Sequence, residues 1–272
     1  MATAPHVASE ILDFYGSVFD ESTRLTSSAD GALELARTRE ILRRHLPPAP
    51  AAVLDVGGGA GVHAKWLVED GYRVHLVDPV ERHVEHAKSV GCTTELGDAR
   101  ALSAGAGTYD AVLLLGPLYH LLERADRDQA LAEARRVVRP GGMVAAAAIG
   151  RYASLFEHTA TTLLTKDRVR DAVGDILATG RHDPGRKGFT AAYFHTAAEL
   201  ADELTCAGGL TDVTVLGVEG PAWALLKATE QHTGESLTDS PMFAAALTAA
   251  RLAEPYPELL SAASHLLAVG TA

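Results

Sequence analysis

AAVLDVGGGAGVHA, residues 51–64, is the stretch that decides the fold of this chain. Its apolar, β-branched run at 52–56 predicts a buried strand, and three consecutive glycines end that run. A helical pattern begins at Val62. Glycine has no Cβ, so the backbone of such a turn can approach a ligand closely, and the N-terminus of the following helix points at it. This order predicts a nucleotide-type cofactor site.

Composition places the chain among globular proteins. It has 272 residues, of which 47% are hydrophobic and 22% charged, enough for one domain with an elaboration. A net charge of −11 and the lack of a long basic run argue against nucleic acid as a partner. We find neither a signal-peptide pattern nor an apolar run of about 20 residues, and therefore expect a cytoplasmic protein with no membrane partner. Cys92 and Cys206 are too few for a disulfide framework or a cysteine metal site.

Strand and helix patterns alternate through the first half of the chain. Amphipathic helices are expected at 7–25 and 31–45. Buried strands are expected at 51–56, 73–78, 93–97, 110–116 and 143–149, with helices at 62–70, 80–90 and 126–138. Such alternation predicts a parallel sheet that is covered on both faces by right-handed crossovers.

The alternation lapses after Ile149. Residues 151–180 look helical, and 181–190 form a polar segment rich in glycine and proline, which we interpret as part of a cap inserted over the site. Beyond it we expect a helix at 196–207, a strand at 211–218, a loop or short helix at 221–226, a helix at 241–253 and a strand at 264–270. The two late strands predict an antiparallel hairpin at the sheet edge. We therefore expect the chain to divide into four parts: an N-terminal helical lid (1–50), a core (51–150), a cap insertion (151–195) and a C-terminal part of the core (196–272).

The glycine turn fits two kinds of cofactor. Asp55, Gly57, Gly59 and Gly61 form D-x-G-x-G-x-G, whereas a dinucleotide fingerprint would use Gly59, Gly61 and Ala64 and would begin three residues past the strand. Asp78 ends the second strand and could accept both ribose hydroxyls of either cofactor, or could cap a helix before Pro79. Asp98, followed by Ala99, could read an adenine edge or be an ordinary turn residue.

The motifs VLDVGGGAG (53–61), VHLVDP (74–79), GDA (97–99), YDAVLLLGPLYHL (109–121) and RVVRPGGMV (136–144) resemble those of class I S-adenosylmethionine (SAM)-dependent methyltransferases, especially the small-molecule ubiquinone/menaquinone group. The resemblance covers about residues 51–150. It implies an α/β, Rossmann-like mixed sheet of seven strands in the order 3-2-1-4-5-7-6, with the last strand antiparallel. It also implies SAM as cofactor and S-adenosylhomocysteine as product.

The resemblance further implies roles for individual residues. Asp55, Gly57 and Gly59 would lie near the methionine part of SAM, Asp78 with the adjoining Pro79 at the ribose, Asp98 and Ala99 at the adenine, and Leu115 and Gly116 along the donor pocket. The family's fourth motif often carries Asp or Asn where a base or amide nitrogen is methylated. Here it is Gly116-Pro117-Leu118-Tyr119, which argues against DNA-base and glutamine acceptors.

Several polar residues are candidates for the acceptor side. His120 is the first candidate for a general base because its segment leaves the sheet at the carboxyl ends of the strands; the alternative is a packing or capping role. Tyr15 resembles a lid tyrosine, and His195 could reach an acceptor from the cap; both could instead be packing residues. Further candidates to bind a carboxylate are Arg24, Arg37, Arg151 and Tyr152. His83 and His86 have helical i, i+3 spacing with no third ligand, so we expect a solvated face and no metal site.

These observations predict SAM-dependent methyl transfer to a small organic acceptor, at oxygen, nitrogen or carbon in that order. Methyl transfer proceeds mainly by proximity and orientation, so a base is needed only for a protonated acceptor. Two alternatives stay open: an NAD(P)-dependent oxidoreductase and a non-catalytic SAM-binding partner subunit. We expect a monomer or a homodimer.

Overall fold

The structure, a computed structural model, describes residues 23–182 and 190–272. Its described strands are β1 (Ala52–Val56), β2 (Arg73–Asp78), β3 (Thr93–Leu96), β4 (Tyr109–Leu114), β5 (Val138–Gly150), β6 (Arg181–His182), β7 (Ala192–His195), β8 (Thr211–Gly217) and β9 (His265–Thr271). Its described helices are α1 (Ala29–His45), α2 (Val62–Glu69), α3 (Glu81–Ala87), α4 (Arg124–Val137), α5 (Ala153–Ala160), α6 (Asp167–Thr179), α7 (Ala197–Asp202), α8 (Trp223–Thr233) and α9 (Pro241–Ala253). The predicted helix at 7–25 falls almost entirely outside the described residues.

The first five strands form a parallel sheet in the order β3-β2-β1-β4-β5. Strand β9 lies between β5 and β8 and runs antiparallel to both. Counted over the seven expected strands, this is the order 3-2-1-4-5-7-6, and the fold prediction is confirmed. Strands β6 and β7 were not predicted; β7 pairs parallel with β5 at Ile149 and Gly150, and β6 pairs antiparallel with β7.

Alternating side chains of the central strands fill two apolar layers, one on each face of the sheet. Leu54, Val112 and Leu266 contribute to one layer, while their neighbours Val53, Leu113 and Leu267 contribute to the other. All six are nearly inaccessible to solvent. Burial on both faces is what near-continuous apolar strands require, and successive side chains point to opposite faces.

Helix α8 is longer than the short helix predicted around 221–226. Its polar second half masks the pattern in the sequence, whereas Trp223 and Leu226 pack against Ala29 and Leu33 of α1. The indole Nε1 of Trp223 also donates a hydrogen bond of 2.9 Å to the carbonyl of Ala262. Packing against α1 therefore stabilises a helix whose full length the apolar periodicity of the sequence does not predict.

None of the helices in the described ranges has the length and apolarity needed to cross a bilayer.

Candidate functional site

A cavity of about 340 Å³ lies at the carboxyl ends of the first four strands. Loops that follow parallel strands meet at one edge of the sheet, and ligands of open α/β folds bind there. The cavity brings together all nine residues assigned to the cofactor from the sequence: Asp55, Gly57, Gly59, Asp78, Pro79, Asp98, Ala99, Leu115 and Gly116. Arg24, Tyr119, His120 and Ala191 also line it.

The turn after β1 packs directly against the turn after β4. Gly57 has φ +67°, and a Cβ added to it would lie 2.9 Å from Cδ of Pro117. A Cβ on Gly116 would lie 2.9 Å from the carbonyl oxygen of Gly57. Side chains at these positions would collide, so glycine lets two backbone segments meet at the floor of the cavity.

Asp55 brings an unsatisfied carboxylate to this cavity. Its side chain is fully buried, and neither carboxylate oxygen has a hydrogen-bond partner among the described residues. Burial, and secondarily the charge of Asp78, raises the pKa of Asp55 to about 7. A buried acceptor without a donor is unfavourable, and a cationic ligand group beside it would remove that penalty. The ammonium group of SAM has the chemistry that this position lacks.

Asp78 is held at the end of β2 by three donors. Its Oδ2 accepts from the N–H of Gly59 at 2.9 Å, and its Oδ1 accepts from the N–H of Val80 at 2.9 Å. The ring Nδ1 of His83 lies 3.0 Å from the same Oδ1. A carboxylate offers about four acceptor positions, so Asp78, with three occupied, can still accept from one ligand hydroxyl through Oδ2.

His83 corrects the prediction of a solvated face for the segment 83–86. The His83 side chain is buried, lines the cavity and contacts Asp78, whereas Glu85 is exposed and pairs with Lys88. The prediction for His83 was wrong because helical spacing does not show which face of α3 turns toward the end of β2. The sequence contains one signal that could have predicted this contact: His83 follows Asp78 by five residues.

Asp98 is paired with Arg100, a cavity residue that the sequence analysis missed. The guanidinium donates to both carboxylate oxygens of Asp98, at 2.7 and 3.0 Å, and to Asp126 at 3.1 Å. Arg100 comes directly after the GDA motif, and this position is the signal from which the sequence could have predicted it as a cavity residue. The turn after β3 thus brings a neutralised carboxylate to the region assigned to adenine.

His120 lies at the cavity in a short 3₁₀ turn, Leu118–His120. Burial is the main cause that lowers its pKa to about 4, and the positive charge of Arg24 acts in the same direction. The imidazole is therefore neutral near pH 7 and can accept a hydrogen bond. Its Nδ1 lies 3.3 Å from the hydroxyl of Thr190, and its ring packs 4.6 Å from that of Tyr119.

His195 does not line this cavity, contrary to the hypothesis that it reaches an acceptor. Its ring is fully buried, and its Nε2 lies 3.2 Å from Glu203, which also pairs with Arg127. His195 therefore has the packing role that the sequence analysis gave as its alternative. Its side chain points from β7 into the interior, where it meets α4 and the turn after α7. Tyr15 falls outside the described residues.

Arg24 lines the cavity, whereas the other three carboxylate-binding candidates lie outside its described lining. Arg37 is buried and pairs with Glu40 and Glu254. Arg151 pairs with Glu199 and donates to the carbonyl of Phe194, and Tyr152 is exposed. The sequence could not separate these four residues, since each has the right chemistry and only the fold decides which of them faces the cavity.

Comparison with known proteins gives a consistent family. Residues 53–142 match the family described as a methyltransferase domain. The ubiquinone biosynthesis O-methyltransferase of Methylocella silvestris is 33% identical over 157 residues, which cover 47% of this chain and 60% of that protein. The ubiquinone/menaquinone biosynthesis C-methyltransferase of Acidiphilium cryptum is 31% identical over 146 residues, 50% of this chain and 56% of that protein. The chain thus spans less than two thirds of the length of these relatives.

A solved structure from Thermotoga maritima, a SAM-dependent methyltransferase described as a possible histamine N-methyltransferase, has the same fold. Its TM-score is 0.57 at 17% identity, over 95% of this chain and 97% of that one. The sheet order, the succession of motifs around the cavity and the matched domain agree. Residues 53–142 match a methyltransferase domain, and the chain has the fold of the class I S-adenosylmethionine-dependent methyltransferases.

Proposed function

We propose that the protein binds SAM in this cavity and transfers its methyl group to a small organic molecule. The observation that carries this proposal is the buried carboxylate of Asp55, which has no donor among the described residues and lies beside the glycine turn. A cationic ligand would satisfy it. A nicotinamide dinucleotide brings no ammonium group to this position, and nothing in the comparisons favours it.

Each end of the donor has residues to bind it. Asp55 with Gly57 and Gly59 would hold the amino-acid part, Asp78 a ribose hydroxyl, and Asp98 with Ala99 the adenine. Leu115 and Gly116 would line the pocket between them. When bound, SAM supplies an electrophilic methyl group on a sulfonium.

The other residues of the cavity would orient the acceptor. Tyr119, His120 and Ala191 line the cavity beyond the glycine turn, so the lining continues past the donor region. An acceptor hydroxyl that took the place of the Thr190 hydroxyl, 3.3 Å from Nδ1, could donate to neutral His120 and so have its lone pair aligned, and burial excludes competing water. An oxygen acceptor is our first choice, followed by nitrogen and carbon; the name of one relative includes O-methyltransferase and that of another C-methyltransferase.

Segments before and after the core also reach the cavity. Arg24 and Leu25 come from the chain before α1, and Ala191 comes from the chain before β7. We therefore propose that residues 1–50 act as a lid and residues 151–195 as a cap that encloses the acceptor.

The test is a methyl-transfer assay with SAM and a panel of phenols, amines and enols, read as S-adenosylhomocysteine and methylated product by mass spectrometry. We expect equal amounts of both products with at least one oxygen acceptor, and a large loss in Asp78→Asn. A parallel fluorescence titration with NADH should show no binding. Tight NADH binding without SAM binding would replace the proposal with an oxidoreductase, and SAM binding without turnover of any acceptor would favour a non-catalytic partner subunit.

A further inference from the structure

The turn after β3 contains a cavity residue to which the proposed donor site gives no role. This residue, Arg100, comes directly after Asp98 and Ala99, and its side chain is only 10% exposed. Its Nε donates to Oδ1 of Asp98 at 3.0 Å and its Nη2 donates to Oδ2 at 2.7 Å, while its backbone N–H donates to Oδ1 at 2.8 Å. Three donors of one residue therefore fix the plane of this carboxylate at the cavity wall.

The bonds from Arg100 leave Asp98 with one acceptor position that has no donor among the described residues. Oδ1 accepts two of the three hydrogen bonds and Oδ2 accepts one, whereas a carboxylate has about four acceptor positions. The remaining position is therefore on Oδ2. Asp98 lines the cavity, so a ligand N–H that reaches it meets one acceptor of fixed direction.

Asp126 of α4 binds the third nitrogen of the same guanidinium. Its Oδ1 accepts from Nη1 of Arg100 at 3.1 Å, and Asp126 also lines the cavity. All three guanidinium nitrogens thus donate to a carboxylate. Arg100 cannot rotate away from Asp98 without breaking its bond to Asp126, so the two aspartates hold the arginine between the turn and the helix.

Three more side chains of α4 bind the backbone of residues 100–104, with hydrogen bonds of 2.7 to 3.3 Å. They are Gln129, Glu133 and Arg136. Together with Asp126 these residues have the spacing i, i+3, i+7 and i+10, which is one face of a helix. One face of α4 therefore fixes the turn after β3, and Asp126 is the residue of that face which lines the cavity.

We propose that Arg100 and Asp126 are positioning residues that orient the carboxylate of Asp98 to accept a hydrogen bond from the exocyclic amino group of adenine. This inference rests on the proposed function, which assigns Asp98 to the adenine. Holding a side chain in place before binding removes the cost of ordering it, which corresponds to a factor of about two to ten in affinity. Orientation also gives specificity, because a base with a carbonyl in place of the amino group would turn one acceptor toward another.

The experiment compares S-adenosylhomocysteine with S-inosylhomocysteine, in which a carbonyl replaces the amino group of the base. Calorimetric titrations into wild type, Arg100→Met and Arg100→Lys give the preference, which is the ratio of the two dissociation constants. We expect wild type to prefer S-adenosylhomocysteine by about tenfold or more, because the other ligand offers Asp98 no amino group. The preference should fall about threefold or more in both variants, since lysine keeps the positive charge but cannot hold both oxygens of the carboxylate.

Matched controls separate this effect from a general change in charge or stability. Arg43 binds Asp70 through the same two nitrogens, Nε and Nη2, outside the described lining of the cavity, so Arg43→Met should keep the wild-type preference. Asp126→Ala should lower the preference, whereas Asp128→Ala removes a similarly exposed carboxylate of the same helix and should not. Melting temperatures show that each variant is folded, and the partly exposed Asp126 provides the test if the Arg100 variants do not fold.

A role through Asp98 has its own readout, the combination of Arg100→Met with Asp98→Ala. Asp98→Ala alone should lose the preference, and Arg100→Met should change it no further in that background, because a positioning residue then has nothing to hold. A further loss in the double variant would show that Arg100 contacts the base itself, and would overturn the positioning role.

The inference is also overturned if wild type binds the two ligands equally, or if either Arg100 variant keeps the wild-type preference. An unchanged preference in Asp126→Ala would remove Asp126 from the proposal. Failure of the proposed function is a different result, in which wild type binds neither ligand.

Discussion

Asp55, which we propose as a binding residue, lowers the stability of the ligand-free fold. Its pKa rises from an ordinary 3.8 to about 7 because the side chain is buried. Between these two values the folded protein binds a proton that the unfolded chain releases. Stability therefore falls as the pH rises from about 4 to about 7, and the full penalty is present above pH 7.

Replacing Asp55 by Asn should abolish this pH dependence, because an amide carries no charge to desolvate. We expect the ligand-free variant to melt at a higher temperature than wild type at pH 8, with a gap that narrows steadily down to pH 4. Thermal melts across this range provide the measurement. A gap of the same size at every pH would show that burial of the Asp55 charge is not its cause.

His120 gives a pH prediction of opposite kind. Its pKa is depressed to about 4, so it stays in the accepting, neutral form well below the ordinary value of 6.5. If His120 accepts the hydrogen bond of the acceptor, kcat/KM for the acceptor, measured with saturating SAM so that Asp55 is already charged beside its ligand, should stay level from pH 7 to about pH 5 and fall toward pH 4. An acid limb near pH 6.5 that disappears in His120→Gln would instead require an ordinary histidine pKa and an open site.

At the scale of elements, the contact between the turns after β1 and β4 sets the shape of the cavity floor, where we propose that the donor binds. Gly57→Ala combines a left-handed backbone with a Cβ 2.9 Å from Pro117, while Gly141→Ala has φ +74° and no atom within 4 Å. Backbone strain alone costs about 1–2 kcal/mol. We expect the Gly57 variant to lose more stability than the Gly141 control in urea unfolding, and to bind S-adenosylhomocysteine more weakly. Equal losses would mean that the two turns separate freely.

A buried ion cluster joins α4 to the segment around β7. Arg127 and Glu203 are almost fully buried, and Arg127 also donates to the carbonyls of Leu121 and Leu122 on the cavity wall. Breaking a buried pair costs about 3–5 kcal/mol because one charge is left without a partner.

Glu203→Gln should therefore lower the free energy of unfolding by an amount in that range. The matched control is Asp167→Asn, which breaks an exposed pair with Arg170 and should change stability by about 1 kcal/mol or less. Urea denaturation at pH 7 measures both. A loss as small as that of the control would show that water or another acceptor satisfies the Arg127 guanidinium in place of the Glu203 carboxylate.

The sequence predicted the strands and their order because buried parallel strands leave continuous apolar runs and crossovers have one hand. Short strands such as Arg181–His182 leave no pattern and exist only where β7 offers them an edge. The same distinction applies within the site. Motif residues next to strand ends were predictable, whereas His83 and Arg24 depend on which face of a distant segment turns toward the cavity.

For the whole molecule, the central claim is that one cavity at the carboxyl edge of the sheet binds the methyl donor. Calorimetric titration with S-adenosylhomocysteine tests this claim most directly, with Asp78→Ala as the comparison. The account predicts binding of one ligand per chain, and a loss of at least about tenfold in the variant, since a charge-assisted bond to the ribose contributes about 1.5–3 kcal/mol. No binding to wild type, or equal affinity for both proteins, would contradict it.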